Sequence, residues 1–141
     1  VNSRTTRLQP AVDQARQSSE DALAQLAAHQ QRLAKAEQQL SELQQYRREY
    51  AVDGDAALTV GALLNRQKFV ERIDQAIAQQ SIEIGRLQRQ LEQVRERWHQ
   101  AHARASALDS VVERYREQER RAEDRREQAD SDERAQYRRS R

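Results

Sequence analysis

The chain's 141 residues include 34% charged and only 4% aromatic side chains, one proline, three glycines and no cysteine, and its acids and bases nearly balance at a net charge of +2. That composition leaves too little apolar material for a conventional globular core and no thiol for a disulfide or a zinc-thiolate site. No segment approaches the roughly 20 apolar residues of a membrane span, and the small arginine excess is interleaved with acids, so it does not define a nucleic-acid surface.

What the chain has instead is periodicity. Apolar positions return every three then four places in a first run through Leu8, Val12, Ala15, Ser19, Ala22, Leu26, His29, Leu33, Ala36, Leu40, Leu43, Arg47 and Tyr50. A second run passes through Val70, Ile73, Ile77, Gln80, Ile84, Leu87, Leu91, Val94, Trp98, Ala101, Ala105, Leu108, Val112 and Tyr115. A seven-residue repeat keeps one narrow stripe against a partner helix, the mark of a coiled coil. The polar remainder is rich in Gln, Glu, Arg and Ala, which favour helix over disorder.

Taken in chain order, helix one is expected over about 8–51, opening near Pro10, whose fixed φ and missing amide proton suit a first helical turn. A turn is expected over about 52–58, where Val52-Asp53-Gly54-Asp55 is the one breaker cluster in mid-chain. Asp53, Gly54 and Asp55 are too few for a calcium loop. Thr59 is placed to cap helix two, with Leu58 stapled on Leu63. Helix two is expected over about 59–130 and absorbs Gly61 and Gly85 at ~1 kcal/mol each. A frayed tail to 141 completes a single domain.

A short turn between heptad helices favours folding back, so the expected architecture is an all-α, antiparallel two-helix coiled-coil hairpin, monomeric, with unequal helices. Alternation of small and large side chains suggests a register with Ala15 against Trp98, Ala22 against Leu91, Ala36 against Ile77 and Leu8 against Ala105. In that register helix one is exhausted near residue 105, and Leu108, Val112 and Tyr115 belong to an unpaired C-terminal overhang. Beyond it, ten Arg and nine acids fall between Glu113 and Arg141. Pairs such as Glu117 with Arg120 and Arg121 support a solvated helix by about 0.2–0.5 kcal/mol each.

Candidate chemistry is sparse. Glu96, His99 and His102 share a helical spacing that resembles a metal-ligand set, but an exposed polar face is the preferred reading, because no second element supplies further ligands. His29, in the seam, reads as a residue that tunes register. There is no Gly-rich phosphate loop, nucleophile elbow or paired-carboxylate pocket, and a two-helix layer offers no cavity to desolvate a reaction. No enzyme activity, cofactor or metal is expected. Tyr46 and Phe69 each fall one place before a core position and so flank the seam, either shielding the last core layer or forming an aromatic docking patch. Arg121, Arg125 and Arg126 have a parallel pair of readings, as partner contacts or as a solvated face.

Four segments resemble the FliJ family of flagellar export proteins: Arg7-Leu8-Gln9-Pro10, Tyr46-Arg47-Arg48-Glu49-Tyr50, Phe69 with Ile73-Asp74-Gln75-Ala76-Ile77, and Val112-Glu113-Arg114 through Glu119-Arg120-Arg121-Ala122-Glu123. The likeness covers almost the whole chain. It implies an antiparallel coiled coil similar to the central stalk of rotary ATPases. Such a stalk binds the hexameric export ATPase FliI, promotes its assembly and activity, connects it to the export gate protein FlhA and helps cycle export chaperones.

The resemblance also implies sites. A gate-binding surface maps onto Gln39, Leu43, Tyr46 and Tyr50 of helix one and Phe69, Ile73, Ala76 and Gln80 of helix two, Gln80 standing where the family has His. ATPase-ring contacts map onto Leu108, Val112, Tyr115, Arg120, Arg121, Arg125 and Arg126. With no apolar h-region at the polar N-terminus, the expected location is the cytoplasm, peripheral to the inner membrane at the flagellar base. A stalk of virulence-type secretion, a structural adaptor or spacer built as a parallel dimer, and a nucleic-acid-binding coiled coil remain the competing readings.

Overall fold

The computed structural model describes residues 3–52 and 59–140. Two helices account for nearly all of them, α1 over Arg4–Val52 and α2 over Val60–Arg139, packed as an all-α helical hairpin. The expected turn at Val52-Asp53-Gly54-Asp55 and the Leu58 half of the staple fall outside the described side chains.

Both helices begin where a hydroxyl replaces a missing backbone partner. The Thr59 Oγ1 accepts the Ala62 amide at 3.2 Å, which makes Thr59 the N-cap of α2. Ser3 does the same for α1, its Oγ accepting the Thr6 amide at 3.1 Å, while its carbonyl accepts the Arg7 amide. The start expected near Pro10 therefore lies upstream, at Arg4, and Pro10 sits inside the helix. The Ser3 cap outweighs the single backbone bond that Pro10 cannot donate to Thr6.

The chain divides into two compact units, one of residues 22–98 and one that joins residues 1–21 to 99–141. In the first, Leu26 packs with Leu91 and Val94, with Leu33 and Trp98 against them. Next along, Ala36 packs with Ile84 and Leu87, with Leu33 and Leu40 alongside. The pairing is antiparallel but stands one heptad from the expected register, because Ala36 meets Ile84 rather than Ile77. Side-chain volumes recur with the same heptad and so discriminate poorly between neighbouring registers. Polar links between the helices do discriminate, namely Arg47 to Asp74 at 2.9 Å and Gln80 to Ala36 and Gln39.

In the second unit, Arg16 meets Asp109 at 2.9 Å, Thr5 donates to Glu119 at 3.2 Å, and the Arg4 guanidinium lies 5.5 Å from the Tyr115 ring centre. Val12, Ala15, Ala105 and Val112 are buried there. The first turn of α1 thus reaches Tyr115 and Glu119, so the overhang expected from residue 105 starts only past Glu119. Leu108, Val112 and Tyr115 belong to the paired part.

All the seam positions named from the heptads in both helices are buried or half-buried. His29 is half-buried among them, and its Nδ1 is enclosed without a hydrogen-bond partner. Among the described residues past Glu119 only Ala122 is partly covered, yet α2 stays helical beyond Asp130, to Arg139. Glu117 holds Arg120 at 2.7 Å and Arg121 at 3.3 Å, and Arg138 and Arg139 sit in the last turn, where cations suit the helix dipole.

Candidate docking surface

Tyr46 and Tyr50, four residues apart on α1, share one face, and their ring centres lie 5.4 Å apart. From α2, Phe69 comes within 4.8 Å of Tyr50 and 6.2 Å of Tyr46, all three rings tilted to one another. Such geometry suits the ring quadrupoles. The Arg66 guanidinium stands 6.0 Å from the Tyr50 ring centre. The cluster is open to solvent: Tyr46 is 47% and Phe69 36% exposed, whereas Tyr50 is half-buried beneath them.

One turn back along α1 this surface continues into a shallow depression lined by Gln39, Glu42, Leu43, Tyr46 and Gln80. The Gln80 side-chain amide donates across to the Ala36 carbonyl at 3.0 Å and to Gln39 Oε1 at 3.2 Å. On the flank, Arg47 Nε donates to Asp74 Oδ1. The structure therefore brings Gln39, Leu43, Tyr46, Tyr50, Phe69 and Gln80 together around one exposed patch. Ile73 is different, being buried at 6% exposure, and Ala76 is half-buried. Those two act as its floor.

Sequence reasoning missed Glu42 and Arg66. Glu42 lies one turn from Gln39 and Tyr46 on the same helix face, a spacing that was available to find it. Arg66 joins through its approach to Tyr50, for which the sequence carries no separate signal.

At the other candidate site, Val112 is buried and Leu108 and Tyr115 are half-buried, so these three are packed rather than presented. Arg120, Arg121, Arg125 and Arg126 are all exposed on the unpaired length of α2. Arg120 and Arg121 engage Glu117, and Arg125 Nε donates to the Arg121 carbonyl at 3.3 Å. Among the described residues, no three His, Cys, Asp or Glu side chains gather as they would around a metal ion. No described helix is long and apolar enough to cross a membrane.

The described residues thus form an all-α helical hairpin of coiled-coil character. The family model described as flagellar FliJ protein matches residues 3–141, and the chain belongs to the FliJ family, a component of the flagellar-type export apparatus. Neither the curated proteins nor the solved structures gave a match.

Proposed function

We propose that the protein is a stalk of the flagellar export machinery that acts on the hexameric export ATPase FliI and links it to the gate protein FlhA and to export chaperones. It works as a monomeric hairpin in the cytoplasm, held at the inner membrane through these partners. The observation that carries the gate assignment is the composite patch. Tyr46 and Phe69 come from different helices and are exposed despite their size, and Tyr46 also lines the depression beside them. Exposed aromatics beside a rigid support are what interface centres use.

The ATPase contact falls on the compact unit that joins residues 1–21 to 99–141. Arg120, Arg121, Arg125 and Arg126 offer charge-assisted hydrogen bonds to carboxylates of a ring, while Leu108, Val112 and Tyr115 hold the paired end in shape. A rod promotes ring assembly or turnover only by binding one state of the ring better than another, so both effects depend on the same contacts.

The test is to add the purified chain to FliI and follow ring assembly and ATP hydrolysis, and to measure capture of the FlhA cytoplasmic part in parallel. Tyr46→Ala with Phe69→Ala removes FlhA capture and leaves helicity and ATPase stimulation intact. Reversing Arg120, Arg121, Arg125 and Arg126 to Glu does the opposite. FlhA capture that survives the double Ala variant refutes the patch, and stimulation that survives the charge reversal refutes the ring contact.

A further inference from the structure

We infer that Gln80 is a positioning residue, a register lock that fixes α2 against α1 and thereby holds the two halves of the aromatic patch side by side. Its place in the docking row suggests a partner contact. Its hydrogen bonds point the other way, into the hairpin, where it donates to the Ala36 carbonyl and to Gln39 Oε1.

The need for a lock follows from the seam. A heptad repeat of apolar side chains is nearly indifferent to a slide of one heptad, and here the neighbouring register also offers good alternation of small and large residues. A slide is an axial shift of roughly 10 Å, seven residues at about 1.5 Å each. That shift would carry Phe69 away from Tyr46 and Tyr50 and dismantle the patch. A polar group at a seam position is the usual device against such slips, at some cost in stability.

Gln80 satisfies its donors in one register only. Ala36, buried and short, leaves its own carbonyl within reach, and carbonyl oxygen has a second lone pair to accept the bond. One heptad toward the N-terminus, His29 and Arg32 replace Ala36 and Gln39; the imidazole crowds the carbonyl, and arginine has no acceptor to offer. One heptad the other way, Leu43 and Tyr46 take those places, and leucine again covers the backbone. The ion pair of Arg47 with Asp74 adds little alone because both side chains are well exposed, at 37% and 54%. The half-buried amide of Gln80 carries the discrimination.

The test exploits the absence of cysteine. Lys35→Cys and Gln88→Cys, both at exposed positions of the same compact unit, carry spin labels whose separation reads the register directly. The parent gives one distance. Gln80→Leu keeps full helicity, since leucine is a good helix former and extends the apolar seam, but adds a second distance population from a slide of roughly 10 Å along the axis. Gln80→Glu, the same shape with no donor when ionised, does likewise, and Gln80→Lys, which donates, restores the single population. A single native distance in both Gln80→Leu and Gln80→Glu overturns the lock.

The positioning role rests on the docking reading, and FlhA capture by the same variants separates the two. Capture that falls in proportion to the slipped population supports the role. Capture that falls while the distance stays native overturns it and makes Gln80 a contact. A slipped population with capture unchanged leaves the lock standing and removes the docking assignment instead.

Discussion

Tyr50 and Phe69, one from each helix, bring their ring centres to 4.8 Å, the shortest ring separation of the aromatic cluster. They close the seam on the side where Tyr46 is displayed. The pair has two duties, packing between helices and support of an exposed neighbour. A double-mutant cycle of Tyr50→Ala and Phe69→Ala, read by urea unfolding, should give a coupling of about 0.5–1.5 kcal/mol. Additive losses would mean that the rings lie near each other without stabilising the hairpin.

His29 breaks the apolar seam with a ring nitrogen that finds no partner. Replacing it with Leu removes an unsatisfied polar atom and adds apolar burial, so His29→Leu should stabilise the chain by about 1–2 kcal/mol in denaturant unfolding. Loss of stability on this substitution would show that the imidazole nitrogen is satisfied in solution.

Gly85 lies well inside α2, and a methyl group there would meet only the mobile end of Arg89, at 3.6 Å. Gly85→Ala should therefore raise stability by roughly 0.5–1 kcal/mol, through the lower backbone entropy of the unfolded chain. Thermal unfolding followed by circular dichroism measures it.

Glu83 and Arg86 form a close ion pair one turn apart on α2. The hydrogen bond from Arg86 holds the Glu83 carboxyl below its ordinary value of 4.5. A carboxyl lowered on folding contributes stability above its unfolded pKa and loses it as pH falls through the folded value. The Glu83 resonance should accordingly titrate below those of Glu residues without such a partner, and Arg86→Gln should bring it back to the ordinary range. Both side chains are open to solvent, so added salt should shrink the difference.

Much of this fold was legible from residue spacing, and the reasons differ from one element to the next. Every seam position from Leu8 to Tyr50 and from Val70 to Tyr115 was readable because burial on a two-helix layer has a single period. Register was not readable from the same signal, since the slide that separates Ile77 from Ile84 opposite Ala36 preserves that period. It is fixed chiefly by Gln80, whose partners Ala36 and Gln39 on α1 emerge only when the helices are side by side. The start of α1 lies upstream of Pro10 because Ser3 caps it from outside the apolar pattern, where periodicity carries no signal. Tyr46 and Phe69 stood out as aromatics off the seam, while Glu42 and Arg66 are polar residues among many and become distinct only through what they approach.

Pro10 has a consequence beyond helix geometry. With no amide proton to give the Thr6 carbonyl, the α1 backbone ladder is interrupted just behind its capped first turn. Unwinding of that turn is thereby partly uncoupled from the rest of α1, so the helix loosens from its first turn inward rather than all at once. A graded edge of this kind lets the first turn of α1 exchange its contacts with Tyr115 and Glu119 for new ones while the rest of the helix stays folded.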